Sequence, residues 1–574
     1  MGIFSKLTQI GCALALAGCA HTVETPLGPA LYDTIIRGAT IYDGSGGAGY
    51  RGDVAIRGDR IAAVGNIADA RAQREFDASG LAIAPGFINT LSWSTSSLIV
   101  DGRAQSVVRQ GVTTEIMGEG FSWGPFPEGG GKEVTNLFGE YDYPVDWRTL
   151  GEYLEKLEKR GVSVNVGSFV GSATLRIYVA GLSDAPLTGT QYDQMKRLME
   201  EAMREGALGL GSAMMYVPDT FNTTKELIGL ARIAGEHGGS FIAHMRDEGF
   251  AIEESIAEMI EIAEKASVPV EIYHLKVAGK DNWGKLDKII DQIEGAQARG
   301  IDLRANMYTY TAGSSGLDAA MPPWVQEGGI DSWIERLTDP EVRRRVAHEM
   351  RHSTEGWSNT YLEAGSPDNV IIVGVDSEEL RPFIGKSLAE IAALWAVSPE
   401  EAAMDLVIQD RSRLHVVYFM MSEENVRRQI ALPWVSFGSD GEAMAPEGVF
   451  LKNSAHPRSY GNFARLLGKY VREERVIPLG EAIRKLTSLP AENFKLRERG
   501  RIAPGYFADL VLFDPATVGE RATYEAPHQY AQGVEQVWVN GIQVIADGEH
   551  NGALPGRVLR GPGWSGWSRK AERD

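Results

Sequence analysis

The stretch Thr223–Met245, TTKELIGLARIAGEHGGSFIAHM, decides the fold together with Ala251–Leu275, AIEESIAEMIEIAEKASVPVEIYHL. Each runs from apolar residues at helical spacing into a short apolar run that ends on a histidine, and Tyr192–Ser212, YDQMKRLMEEAMREGALGLGS, has the same order. Helix followed by buried strand, repeated, means βα units on a parallel sheet. The alternation extends from about Ala84 to Glu498, which fits a (β/α)8 barrel better than an open sheet. Residues 316–434 are mainly charged and helical, as in DPEVRRRVAHEMRHSTEGW, and contain an insertion.

Outward from this middle, both ends change character. Residues 31–83 read as short strands with tight Gly and Asp turns (TIIRGATIYDG, DVAIRGDRIAAVG), and residues 499–560 repeat that pattern in GYFADLVLFDPATV and VEQVWVNGIQVI. Two β-rich ends around a long middle imply that the termini meet in one small β domain. The first residues, MGIFSKLTQIGCALALAGCA, place Lys6 before a short apolar run and small residues before Cys19, which reads as a signal peptide over 1–18 followed by a linker over 19–30. Leu16 to Cys19 resemble a bacterial lipobox, so Cys19 is expected to be lipidated and to anchor the protein in a membrane. Ala20 favours the periplasmic side of the outer membrane; an ordinary secretory signal releasing a soluble periplasmic protein is the alternative. The apolar run is too short to span a bilayer. Cys12 and Cys19 are the only cysteines, so the mature body has no disulfide and no thiolate ligand. A formal charge of −20 argues against a nucleic-acid partner. The sequence says nothing of oligomeric state.

Two of the ten histidines stand out, His244 in FIAHMRDEG and His274 in VEIYHLKVAG, each at the C-terminal end of an apolar run. In a barrel such positions converge on the face that carries active sites. The pair fits either a shared metal ion or two hydrogen-bonded core histidines. Asp440 in FGSDGEA is a candidate general base or a turn former between glycines. Glu119 in IMGEGFS is an exposed turn acid or a third ligand, since two histidines and a glutamate are a catalytic zinc set.

Taken in order, PGFI at Pro85, GVTT at Gly111, GSATLR at Gly171, HMRDEG at His244, HLKVAGKDNWG at His274, YTYTAGSS at Tyr308, YFMM at Tyr418, GSDG at Gly438, HPRSYG at His456 and RGRIAPGYFADLVLFDP at Arg499 closely resemble the N-acyl-D-amino-acid deacylases, or D-aminoacylases, of the amidohydrolase superfamily. The resemblance covers nearly all of the mature chain. It implies an α/β fold: a metal-dependent TIM (β/α)8 barrel over 84–498, a small β-sandwich from both termini, and an inserted segment over the active site. By the same resemblance His244 and His274 match zinc ligands and Asp440 the catalytic aspartate. Lys276, Tyr308 and Arg458 fall where the substrate's α-carboxylate is held, and Met215, Tyr216, Tyr418 and Met421 where the side-chain pocket is lined.

The departures from that pattern lie in the metal site. The family's first-strand pair of histidines aligns with Leu91 and Trp93, the preceding aspartate with Asn89, and another histidine with Ser172. Neither leucine nor an indole N–H can bind a metal. Glu119 takes the place of the family's cysteine ligand, leaving Glu119, His244 and His274 as the set for one Zn2+ per chain. The expected reaction is zinc-dependent hydrolysis of a linear amide that frees an amino acid from an N-acyl-D-amino acid or a related small carboxylate. A D-residue dipeptidase or cyclic-amide hydrolase, and a non-catalytic lipid-anchored binding protein, are the alternatives.

Overall fold

The computed structural model describes residues 31–136 and 141–567. The signal peptide, Cys19 and the 19–30 linker lie outside the described residues. Among the described residues, eight parallel strands form the central barrel: β1 Phe87–Asn89, β2 Val112–Met117, β3 Asn165–Ser168 with its continuation Val170–Gly171, β4 Gly209–Ala213, β5 Ser240–His244, β6 Val270–Ile272, β7 Leu303–Met307 and β8 Val435–Phe437. The ring closes between β8 and β1, where Thr90 N donates to Phe437 O at 3.3 Å, Asp440 N to Leu91 O at 3.0 Å, and Ser92 bridges to Gly441 in parallel. These strands are short and buried on both faces, as parallel strands covered by helices must be. The two helices that decide the fold behave as their spacing demands. Thr224–Glu236 starts on a reciprocal cap between Thr223 and Glu226. Ile252–Ala266 buries Ile252, Ile256, Met259, Ile262 and Ala263, one face of a 3.6-residue period. Inside the barrel Ile88, Leu91, Ile116, Phe169, Leu208, Ile242 and Tyr273 pack with Ala491 and Phe494 into one cluster, so the barrel is filled rather than open.

The two ends of the chain combine, among the described residues, in a nine-stranded sheet. It branches at Leu31–Ile41, whose first half pairs with Arg71–Asp77 and whose second half pairs with Ala82–Pro85. Leu510–Phe513 and Val534–Val539 continue from the latter. The two wings face each other across Ile36, Val54, Ile56, Leu510, Leu512 and Trp538, with Phe76 edge-on to Trp538 at 5.4 Å between centroids. A sandwich is thus made from one continuous sheet. The C-terminal boundary expected at residue 560 differs: after His550 the chain leaves the sheet and runs against the barrel. There Val166 N donates to Arg557 O at 2.9 Å, Leu559 N to Val166 O at 2.8 Å and Gly561 N to Gly206 O at 2.9 Å. The approach is close enough that a Cβ on Gly556 would lie 2.0 Å from Val164 O.

Between β7 and β8 the inserted segment contains helices, as expected, and also a three-stranded antiparallel sheet of Ala312–Ser315, His415–Phe419 and Val370–Gly374. VIIVG and HVVYF are short apolar runs between long charged helices, which hides them in a pattern averaged over the insertion. The edge of this sheet helps to wall the site.

Candidate metal centre

His244 is the last residue of β5, Glu119 and His274 stand two residues beyond β2 and β6, and Asp440 stands three beyond β8. Barrel closure brings these C-terminal ends to one place. His274 at φ +35° and Asp440 at φ +50° sit in the left-handed region, where His and Asp are more tolerated than most residues and where strain tends to gather at functional sites. Glu119 Oε1 lies 3.2 Å from His244 Nδ1 and 3.0 Å from His274 Nε2, and the ligand atoms of all three residues are within 4.8 Å of one another. The two imidazoles meet edge-to-face with centroids 4.4 Å apart. Two imidazole nitrogens and a carboxylate oxygen converging in a buried position are a set that could hold one metal ion.

Glu248, a residue that the sequence did not single out, stands behind both rings. Its Oε1 is 3.0 Å from His274 Nδ1 and its Oε2 3.5 Å from His244 Nε2. Ligating imidazoles commonly turn their outer nitrogen to a carboxylate that fixes ring orientation and tautomer; Glu248 is close enough to do this for His274, whereas His244 Nε2 makes no hydrogen bond. The i, i+4 spacing of His244 and Glu248 in HMRDE was the available signal. Lys276, expected to meet the substrate's carboxylate, lines the cavity and is also held by the protein: Nζ lies 2.8 and 2.6 Å from the two Glu248 oxygens and 2.7 Å from His274 Nδ1.

Charge in this cluster is balanced by direct contacts between opposite charges. Burial works to raise the Glu119 carboxyl, but His274 and His244 outweigh it and hold the group well below the usual carboxylate range. Burial likewise opposes ionisation of Glu248, and Lys276 with the two histidines overrides it. Burial and then Lys276 push His274 down, yet Glu248, Glu119 and Asp440 carry it up to about 9. Glu248→Gln should therefore weaken divalent-metal binding by roughly 10–100-fold, the usual cost of losing such an outer partner. Competition against a chromogenic chelator measures this, and unchanged affinity would show that Glu248 does not orient the rings.

Asp440 faces the same space from β8. Its Oδ2 pairs with Arg458 Nη1 at 2.7 Å, and its Oδ1 accepts from the indole Nε1 of Trp93 at 3.1 Å. Burial raises its proton affinity; Arg458 works against this, and the Glu119 charge adds to it. The Trp93 N–H also reaches Glu119 Oε2 at 2.9 Å. Leu91, two residues earlier, points into the barrel core, and Ser172 is tied to Asp219 at 2.6 Å, away from the ligand set. Arg458 packs over the Tyr308 ring at 4.8 Å, donates Nη2 to Ser314 O at 3.3 Å and leaves Nε without a hydrogen-bond partner.

A cavity of 360 Å³ joins these groups, with Trp93, Phe121, Met215, Tyr216, Tyr308, Tyr418 and Met420 among its walls. Tyr216 sets its ring 5.1 Å from that of His244 and takes a hydrogen bond from Ser315 Oγ at 2.8 Å. Tyr418 donates its hydroxyl to Gly316 O at 2.8 Å. Met421, expected in the pocket wall, is not in the lining; its sulfur lies 3.6 Å from the Tyr308 hydroxyl, and Met420 faces the cavity instead.

A buried His, His, Glu set at the C-terminal mouth of a (β/α)8 barrel, with a carboxylate poised beside it, defines a metal-dependent barrel enzyme. Residues 74–545 match the model of the Amidohydrolase family. The chain is 34% identical over 529 residues to D-aminoacylase of Alcaligenes xylosoxydans xylosoxydans, spanning 92% of this chain and 97% of that protein. It is 33% identical over 534 residues to N-acyl-D-glutamate deacylase of the same organism, spanning 92% and 96%. The solved structure of N-acyl-D-glutamate deacylase from Bordetella bronchiseptica, complexed with zinc and a phosphonate mimic of the tetrahedral intermediate, matches with a TM-score of 0.75 at 29% identity, over 92% of this chain and all of that one. The chain belongs to the amidohydrolase family and is a metal-dependent amidohydrolase.

Proposed function

We propose that the protein is a zinc-dependent deacylase that uses one metal ion to release a free amino acid from an N-acyl-D-amino acid or a related small carboxylate. The observation that carries this reading is the convergence of Glu119, His244 and His274 with Asp440 and the incompletely satisfied Arg458 guanidinium on one cavity. Zinc accepts two imidazoles and a carboxylate with a position left open, and the N-acyl-D-glutamate deacylase described above is a zinc complex. Held by Glu119, His244 and His274, the ion would polarise the acyl carbonyl and acidify the attacking water.

The chain's own residues do the rest. Asp440, whose burial favours the protonated form, accepts the proton of the attacking water and returns it to the departing nitrogen. Arg458, stacked on Tyr308, binds the α-carboxylate through its planar N–H edge. A carboxylate arriving there competes with Asp440 for the guanidinium and so strengthens the base in the presence of the right substrate. Lys276 pairs with Glu248 behind the metal site and also lines the cavity, where its charge adds to that of Arg458 for the substrate's carboxylate. Met215, Tyr216, Tyr418 and Met420 receive the amino-acid side chain. Through a lipidated Cys19 the enzyme would work at the periplasmic side of the outer membrane.

The test is a panel of N-acetyl-D-amino acids, their L-enantiomers, the corresponding C-terminal amides and D-dipeptides, followed by amine release, and of hydantoins, followed by formation of the N-carbamoyl amino acid. Turnover of the D-acids, with loss of roughly 10-fold or more in kcat/KM for the neutral amides, is expected from a charged contact to Arg458. Preferential turnover of dipeptides or hydantoins would overturn the reading.

A further inference from the structure

The indole of Trp93 does something that no lining residue needs to do: its single N–H stands between two carboxylates of different function, the metal ligand Glu119 at 2.9 Å and the base Asp440 at 3.1 Å. We propose that Trp93 is a positioning residue that takes the place of a second cation, tying Glu119 to Asp440 and keeping the site to one metal. This rests on the deacylase reading for the roles of the two carboxylates.

Two buried carboxylates facing a common point repel unless a proton, a cation or a donor lies between them. Here each spends one oxygen elsewhere, Glu119 Oε1 on the two imidazoles and Asp440 Oδ2 on Arg458. Their remaining oxygens both face Trp93 Nε1. An indole nitrogen is a donor only, so it holds the pair without ligating anything. A cation entering between Glu119 Oε2 and Asp440 Oδ1 would have to expel that N–H from both.

The loop is built to hold the indole there. On either side of it, Ser92 and Ser94 both donate to the buried Glu115, Ser94 at 3.1 Å, and Asn89 Nδ2 donates to the other Glu115 oxygen at 3.1 Å. Trp93 N donates to Gly441 O at 3.1 Å, next to Asp440 itself, and Ser92 N to Ile116 O at 2.9 Å. The backbone on which Trp93 sits is thereby tied to β2, which leads to Glu119, and to β8, which leads to Asp440. Leu91 sinks into the barrel core and leaves Trp93 as the one side chain of the former ligand pair that reaches the site.

The experiment uses the full chain, stripped of metal and titrated with zinc, with metal read by mass spectrometry after desalting and affinity read by chelator competition. The parent is expected to hold about one zinc even in several-fold excess. Trp93→Phe keeps the shape and removes the N–H; it should hold its first zinc about 10–100-fold more weakly, because Glu119 loses its outer partner, and should take up part of a second ion in excess zinc, because nothing then bridges the two carboxylates. The absorption bands of its cobalt-loaded form should shift as Glu119 is released. Trp93→His puts an imidazole between Glu119 Oε2 and Asp440 Oδ1 and should raise the count to about two. Two zinc ions in the parent, unchanged affinity and spectrum in Trp93→Phe, or a single ion in Trp93→His would each overturn the proposal. Thermal unfolding of the apo forms establishes that both variants fold; if Trp93→Phe does not, the count in Trp93→His still decides. Neither measurement needs turnover, so a chain that binds zinc in this way but deacylates nothing would defeat the deacylase reading and leave this one standing.

Discussion

Asp440→Asn is expected to lower kcat by about 10²–10⁴-fold, the range typical of removing a general acid–base group, with the metal content unchanged. Asp440 lies outside the three-residue ligand set, so its loss should not release the ion. The substitution preserves an oxygen for the Trp93 N–H but removes the charge that pairs with Arg458. A guanidinium freed of that partner is more available to a substrate carboxylate, so KM should stay level or fall while kcat collapses. That split separates a lost proton carrier from a damaged binding site. Thermal unfolding should be run beside it, because taking one partner from a buried ion pair destabilises by up to roughly 3–5 kcal/mol. A variant that keeps kcat within a few-fold of the parent would remove Asp440 from the mechanism.

The second large effect is on the metal. Glu119→Ala and His274→Ala should each reduce bound zinc from about one per chain to near zero after dialysis against chelator, and activity should fall with it to background. Two ligands from different strands cannot make up a catalytic zinc set that calls for three. The two variants should differ in what is left behind. In Glu119→Ala the Trp93 N–H keeps only Asp440, whereas in His274→Ala the Glu248–Lys276 pair loses the ring it backs. Readdition of zinc should restore the chelated parent and neither variant. Full activity in parent protein after exhaustive chelation, with no metal detected, would remove the ion from the reaction.

How far these residues were legible depended on whether their signal was local. His244 and His274 announce themselves because a helix, an apolar run and a terminal histidine follow one another within about 25 residues, and the structure sets both at strand ends. Glu119 could be read as a ligand only in company with them, and its carboxylate does lie between their rings. Glu248 was hidden because its contacts to His274 and Lys276 join it to the stretch after another strand, and only its i, i+4 spacing to His244 is local. The pairing of Lys276 was hidden for the same reason: its partner Glu248 belongs to the loop after β5, not to its own stretch. Met420 and Met421 show how fine the margin is. The strand ends at Phe419, and just beyond it one position decides which methionine lines the cavity. In the sequence Leu91 and Trp93 read only as residues that cannot bind a metal, whereas the Trp93 N–H contacts both carboxylates, which no inventory of ligand types would reveal.

Sequence alone was enough for the alternation that makes a barrel, the pairing of the β-rich ends, and the chemical types that stand at the ends of β2, β5, β6 and β8, because periodicity and residue order are properties of short stretches. Tertiary structure decided which atoms meet: that one oxygen of Glu119 serves two imidazoles while the other meets an indole, that Arg458 pairs with Asp440, and that the tail after His550 lies against the barrel. These contacts join residues up to several hundred positions apart, and barrel closure together with side-chain packing creates them, so no local pattern records them.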